Sequence, residues 1–269
     1  MKLTELEARD LSDAWFRTIY TIIDKGSVFT IDRGSYAGQK RLEFDYITVQ
    51  IKFPGTRPLL PQVPAQYGMP NPVADDYLDD YMPYLMTGEL KPGESYTYGQ
   101  RMTKYPIPPE WVSFNGYRDD DLKGILIQDE EVWSNPNIII IEDDNVYVNQ
   151  IELLIWTYKN KGYRNNQMVL QVSHPSDMLL QDPPCLRAID TRIQDGKLHF
   201  FPYFRSWDLF NGFPANLGGI QLMKEYIASE IGVEDGEIIA SSKGLHLYDY
   251  TFDMAKMLAM KDDVLLKSW

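Results

Sequence analysis

The stretch DPPCLRAIDTRIQDGKLHFFPYFRSWDLFNGFPANLGG, residues 182–219, decides how the rest of the chain is read. Leu186–Ile193 and Leu198–Phe204 have the apolar, aromatic-rich character of strands. Gln194-Asp195-Gly196 between them is hairpin chemistry, because Asp and Gly tolerate the left-handed backbone of a tight turn. Antiparallel pairing of the two runs then returns Arg205 to the neighbourhood of Cys185.

Working outward, a helix is expected over Leu217–Ile231, strands around Glu237–Ala240 and Leu245–Tyr248, and an amphipathic helix over Asp253–Met260. Upstream, Met168–Val172 reads as a strand and Asn145–Lys159 as a helix, with Asp143–Asp144 as its cap. Residues 73–88 read as helix, and residues 54–72, dense in Pro and Gly, as a long loop. Phe44–Phe53 alternates as a strand does. Residues 4–24 carry helical spacing behind Thr4 as cap, with Glu7 three residues on. Helices and hairpin-linked strands mix without a strict βαβ rhythm. The expected class is therefore α+β, a large mixed β-sheet flanked by helices. The 53 residues ahead of the loop are too few for a comfortable core of their own, so residues 1–269 are expected to form a single domain.

Composition narrows the function. The 269 residues hold 26 Lys+Arg against 39 Asp+Glu, a net charge of −13, which argues against a general nucleic-acid surface. A small anionic ligand held by local arginines is still compatible with that balance. No apolar run is long enough to span a bilayer, and the acid-bearing start MKLTELEARD is no export signal, so a cytoplasmic protein is expected. Cys185 is the one cysteine, which excludes an internal disulfide framework and a cysteine-based zinc site. GxxxxGK[ST], the dinucleotide fingerprint and HExxH are all absent; His174 and His199 are taken as structural, and no metal is expected.

A lone cysteine is usually an inert core residue. A nucleophilic role needs the thiolate, and arginines near Cys185 are expected to favour it. Asn216 alone would be a helix cap, His246 alone a satisfied polar residue, Asp208 an ordinary loop acid, and Asp119–Asp121 a solvated turn. It is their joint register that carries more. Pro183–Cys185 (PPC), Phe204–Asp208 (FRSWD), Gly212–Leu217 (GFPANL) and His246–Tyr248 (HLY) resemble, in wording and spacing, the thymidylate synthase family, which includes the pyrimidine nucleotide hydroxymethylases. Asp32–Gly38 (DRGSYAG) and Tyr96–Met102 (YTYGQRM) are weaker matches. The wording RSWDLFNGFP and SKGLHLYDY is closest to the short archaeal-type branch.

The resemblance implies a thymidylate synthase-like fold and a reaction, reductive methylation of dUMP to dTMP through a Cys185 adduct at carbon 6 of the base. It implies phosphate binding by Arg33, Arg205 and Ser206, base reading by Asn216, and ribose binding by His246 and Tyr248. Tyr98 would help remove the carbon 5 proton. Asp208 would contact the pterin of the one-carbon donor, methylenetetrahydrofolate or a related methanopterin. A homodimer is implied too, in which family enzymes send two consecutive arginines across to the partner's phosphate. Here Asn165-Asn166 stand at that offset, and Arg164 is the candidate substitute. Val172-Ser173-His174 replaces the family's tryptophan–asparagine pair, and Leu265–Trp269 stands where a closing tail is expected. The alternatives are a 5-hydroxymethylase of a uridylate or cytidylate, and a nucleotide-binding protein without the reaction.

Overall fold

The computed structural model describes residues 1–32, 36–112, 126–261 and 266. The N-terminus departs from the expected helix at once. Leu3–Ala8 is a strand, β1, with Thr4 and Ala8 turned inward and Leu3, Glu5 and Glu7 outward. The Thr-x-x-Glu spacing fits a capping box, but the same residues also alternate, and pairing with a neighbouring strand wins. The cap of helix α1 (Leu11–Lys25) is instead Asp10, whose carboxylate accepts from Asp13 N–H at 2.9 Å. Leu11, Trp15, Ile19, Ile22 and Ile23 form its buried stripe.

Strands β2 (Ser27–Thr30), β3 (Lys40–Glu43) and β4 (Tyr46–Ile51) follow, the last burying Ile47, Val49 and Ile51 on alternate positions. The long loop over residues 54–72 is held down by Leu59 and Leu60 in the core and by a two-pronged Arg57–Glu225 pair at 2.7 Å. Helix α2 (Tyr77–Leu85) is shorter than the expected 73–88, and α3 (Tyr98–Thr103) is capped by Thr97. A small sheet then combines β5 (Tyr105–Pro106), β6 (Ile139–Glu142) and β7 (Asn145–Val148), with α4 (Glu130–Ser134) beside it. Here the expected helix start is corrected. Asp143 and Asp144 take φ of 48° and 62° and make the β6–β7 hairpin turn rather than a cap. Asn149 caps α5 (Gln150–Lys161), accepting from Ile151 and Glu152 N–H.

Strand β8 (Val169–Gln171) leads to the hairpin β9 (Leu186–Gln194) and β10 (Lys197–Phe204), with Asp195 and Gly196 in the left-handed region at the turn as expected. β11 (Trp207–Asp208) is short. Helix α6 (Gly212–Ile231) begins five residues before the expected start, because Pro214 sits in its first turn, where no N–H partner is needed. β12 (Glu234–Ser242), β13 (Leu245–Tyr248) and α7 (Phe252–Leu258) close the described chain.

The main sheet is mixed and six-stranded, in the order β1-β4-β12-β10-β9-β8. A four-stranded sheet, β11-β13-β3-β2, lies beyond the end of β10. The principal core packs α1 and α6 against the inward residues of the main sheet, and a smaller cluster gathers Val132, Trp133, Ile138, Ile139, Val146 and Trp156. Gly218 and Gly219 let α2 lie close on α6: a Cβ on Gly219 would stand 2.5 Å from the Tyr81 ring. The fold is thus α+β, a large mixed sheet flanked by helices.

Candidate active site

The hairpin does what its sequence implied. Arg205 N–H donates to the Cys185 carbonyl at 2.8 Å, so the cysteine and the arginine end adjacent strands side by side. Past them the chain enters β11, which pairs in parallel with β13 through Trp207–Leu245 and Asp208–His246. On its other side β13 pairs with β3, Tyr248 opposite Arg41. The two sheets meet at a cavity of about 320 Å³ lined by Cys185, Arg41, Arg205, Ser206, Asp208, His246 and Tyr248, among others. A larger cavity, about 550 Å³, opens at the opposite ends of β10 and β12 around Lys52, Lys197 and His199, and Cys185 is not part of it. Chemistry, not size, selects the smaller one.

The cysteine loop is braced from three sides. Arg205 Nε donates to the Pro184 carbonyl at 3.1 Å and its Nη2 to the Pro183 carbonyl, while reaching Asp182 at 3.4 Å. Arg187 donates to Pro184 O, and Tyr96 Oη donates to Asp182 O at 3.0 Å. Tyr98 Oη accepts from Leu186 N–H at 3.3 Å, which puts a phenol against the backbone just after the thiol. Burial pushes the Tyr98 phenol well up, opposed by those backbone N–H groups.

At Cys185 the arginines act in the expected direction but do not prevail. Burial raises its pKa above the ordinary thiol value, and the arginines, Arg205 first, then Arg41 and Arg187, only oppose that rise. The resting group is a thiol. Desolvation outweighs charges that are partly solvated and partly turned toward loop carbonyls.

His246 is 2% exposed. Its Nδ1 lies 2.8 Å from the Gly244 carbonyl, which can only accept, so Nδ1 carries the proton and Nε2 is the acceptor. Nε2 is buried with no partner among the described residues. Burial pushes His246 down to about 3, so the ring is neutral, and burial also pushes Glu43, 4.0 Å from Nδ1, up to about 7. A neutral acceptor on a residue that lines the cavity suits a hydroxyl donor.

Sequence reasoning missed Arg41. It lies on β3 within KRLE, which carries no motif, and only strand pairing brings it to the cavity. Nη2 donates to Tyr248 Oη at 3.0 Å with the guanidinium 5.0 Å from that ring, and Nε has no partner among the described residues. Tyr36, whose ring lies 4.6 Å from that of Tyr248 and tilted by 31°, was missed as well.

Asp208 also lines the cavity. Its Oδ2 holds the turn into α6 through long bonds from Asn211 and Gly212, and Oδ1 accepts one bond, from Phe210 N–H at 3.0 Å. Burial outweighs these bonds and leaves its pKa raised. Asn216 is no cap: it stands within α6, where Oδ1 accepts from Trp207 Nε1 at 3.0 Å and Nδ2 donates to Tyr81 Oη at 2.8 Å. Ser206 is on the cavity wall. Arg164 is exposed after α5 and does not line this cavity. Arg33 and Asp119–Asp121 lie outside the described residues, as do Leu265 and Lys267–Trp269 of the expected closing segment. His174 and His199 are engaged structurally, the first in a capping box and the second accepting from Glu237 N–H.

Comparison with known proteins agrees with this arrangement. Residues 78–264 match the family model described as thymidylate synthase. The chain is 29% identical over 251 residues, 93% of its length and 92% of the relative's, to a protein of Methanosarcina acetivorans named "Putative thymidylate synthase". A protein of the same name from Methanosarcina mazei is 28% identical with the same coverage, and one from Methanothermobacter marburgensis is 22% identical over 94% of this chain and 96% of the relative. With a family model spanning most of the chain and the register of Cys185, Arg205, Asp208 and His246 around one cavity, the chain belongs to the thymidylate synthase family.

Proposed function

We propose that the chain catalyses the reductive methylation of dUMP to dTMP through a covalent adduct of Cys185. The observation that carries this reading is one cavity lined by a nucleophile, two arginines and His246, whose buried Nε2 has no partner among the described residues. Carbon 5 of uracil is too weakly nucleophilic by itself. Addition of the Cys185 sulfur to carbon 6 converts the ring to an enolate that can attack a one-carbon donor. Arg205 and Ser206, with Arg33 from the sequence and Arg41 from the fold, are the groups for the phosphate; His246 Nε2 and Tyr248 suit the ribose hydroxyl. Arginine pairs donors with phosphate oxygens in its planar fork. Because burial favours the thiol form of Cys185, its proton leaves as the carbon–sulfur bond forms, and the Tyr98 phenol, which accepts from Leu186 N–H beside the cysteine, is the side chain offered to relay it.

The donor, methylenetetrahydrofolate or a related methanopterin, supplies the one-carbon unit and the reducing hydride. Asp208 fits a pterin N–H, because Oδ1 accepts only one bond and keeps a lone pair beside the cavity. Residues 1–269 are taken as one thymidylate synthase-like unit, since the main core draws on residues from Ala8 to Ala259. A homodimer is proposed through the outward face of the main sheet, with Arg164 available to the partner's site. A cytoplasmic setting suits a sole cysteine that must stay reduced to act. Among the described residues no helix is long and apolar enough to cross a membrane.

Incubation with dUMP and donor, read by mass, tests the reading. A gain of CH2 is expected. A gain of CH2O would make the chain a hydroxymethylase, and dUMP binding without product would make it a nucleotide-binding protein. Incubation with 5-fluoro-dUMP and donor should leave a stable adduct on Cys185.

A further inference from the structure

We infer that Trp207 is a specificity-determining positioning residue, which locks the Asn216 amide in the orientation that pairs with uracil and rejects cytosine. The inference rests on the uridylate reading above and deepens it.

An amide has a donor end and an acceptor end, and a half-turn about its last bond exchanges them. Uracil presents a donor at N3 and an acceptor at O4; cytosine presents an acceptor at N3 and a donor at its 4-amino group. The two bases therefore call for opposite settings of one amide. A freely turning asparagine would serve both. Asn216 is not free to turn. The indole Nε1–H of Trp207 can only donate, so the atom 3.0 Å away must be oxygen. A flip would set the amide N–H2 against the indole N–H, losing a hydrogen bond and facing donor with donor. Tyr81 Oη takes the other end, accepting from Nδ2 at 2.8 Å; a hydroxyl can also donate, so it holds that end without choosing the orientation. One N–H and one lone pair are left over, which is one donor and one acceptor in a fixed order.

The locking indole and the phenol beside Asn216 are themselves held. Trp207 is 2% exposed and stacks on Phe204 at 3.9 Å with an interplanar angle of 4°, with Phe213 at 4.6 Å on its ring. Tyr81 lies across the bare backbone of Gly219, and burial keeps its phenol neutral. Two elements, β11 and α2, thus grip the amide from either side.

The test measures equilibrium binding of dUMP and of dCMP to the full chain and to variants. Trp207→Phe keeps the ring stack and removes the donor; it should narrow the dUMP-to-dCMP ratio about five- to tenfold, the worth of one hydrogen bond. Tyr81→Phe removes a partner that serves either orientation and should leave the ratio near that of the wild type. In an Asn216→Ala background, which has no amide to orient, Trp207→Phe should leave the ratio unchanged. Narrowing in Trp207→Phe, absent in that background, supports the lock. A wild-type ratio in folded Trp207→Phe, or in folded Trp207→Leu should the first not fold, overturns it, provided Asn216→Ala weakens dUMP binding. Should Asn216→Ala bind dUMP as wild type does, the base-reading role of Asn216 fails first, and the lock with it.

Discussion

In the proposed reaction Cys185 does covalent chemistry from a half-buried position, and the charges around it set how readily it can. Cys185→Ser should abolish turnover yet leave dUMP affinity within about tenfold, about 1.4 kcal/mol, because in the proposed reading other residues bind the phosphate, ribose and base. Turnover by the serine variant near the wild-type rate would remove the covalent step. The resting thiol can be titrated by its rate of alkylation with iodoacetamide. Burial raises its pKa, so the rate should climb with pH to a midpoint above that of a free thiol. The arginines favour the thiolate, so removing one disfavours it further. Arg41→Met should therefore move the midpoint to higher pH, and Arg205→Met should move it more, in the order of their influence on Cys185. A midpoint below the free-thiol value, or one that falls when Arg41 is removed, would contradict this electrostatic account. His246, pushed down to about 3, should contribute no titration to dUMP binding between pH 5 and 8.

At the scale of elements, the close approach of α2 to α6 brings Tyr81 to Asn216. Ala at position 219 would gain about 1 kcal/mol in helix propensity, but its Cβ would meet Tyr81 at 2.5 Å and Leu85 at 2.9 Å. Overpacking of this kind costs about 1–3 kcal/mol, so Gly219→Ala should lower stability by about 1 kcal/mol net in urea unfolding. A stabilised variant would show that the two helices can part at no cost. The same contacts explain what could be read from sequence. Cys185 and Arg205 were legible because one tight hairpin joins their strands, and covalent spacing through Asp195-Gly196 fixes how they meet. Arg41 was not, since Tyr248 meets it across 207 positions by strand pairing, nor was Tyr81, 135 positions from Asn216. Element ends failed where two local signals competed. Thr4 and Glu7 fit both a cap and an alternating strand, Asp143–Asp144 both a cap and a turn, and Pro214 both a break and a first turn. In each case the partner strand or the N-terminal geometry decided, and neither is local.

For the whole molecule, the main sheet has two faces of different character. Ile47, Val49, Ile51, Phe200, Ile238 and Ala240 turn into the core, while Tyr46, Thr48, Phe201, Tyr203, Ile239 and Ser241 alternate with them on the outer side and are only half-buried. These six outer residues carry no charge, and acids flank them, Glu5 opposite Thr48 and Asp190 opposite Phe201. The uncharged patch can meet its copy at its centre, while the flanking acids limit how the two acidic chains approach. A face of three aromatic rings and an isoleucine is the composition of an interface centre, where aromatics are enriched and Lys, Glu and Asp depleted. Light scattering at micromolar concentration should give twice the 31.2 kDa of one chain. Ile239→Asp sets a carboxylate at the middle of that face, beside its mate across the two-fold, and should release monomers. Its side chain already reaches outward, so the fold should survive, as circular dichroism can verify. If the wild type is a dimer and Ile239→Asp remains one, the subunits join elsewhere. If the wild type is a monomer, no dimer forms, and Arg164 has no partner site to serve.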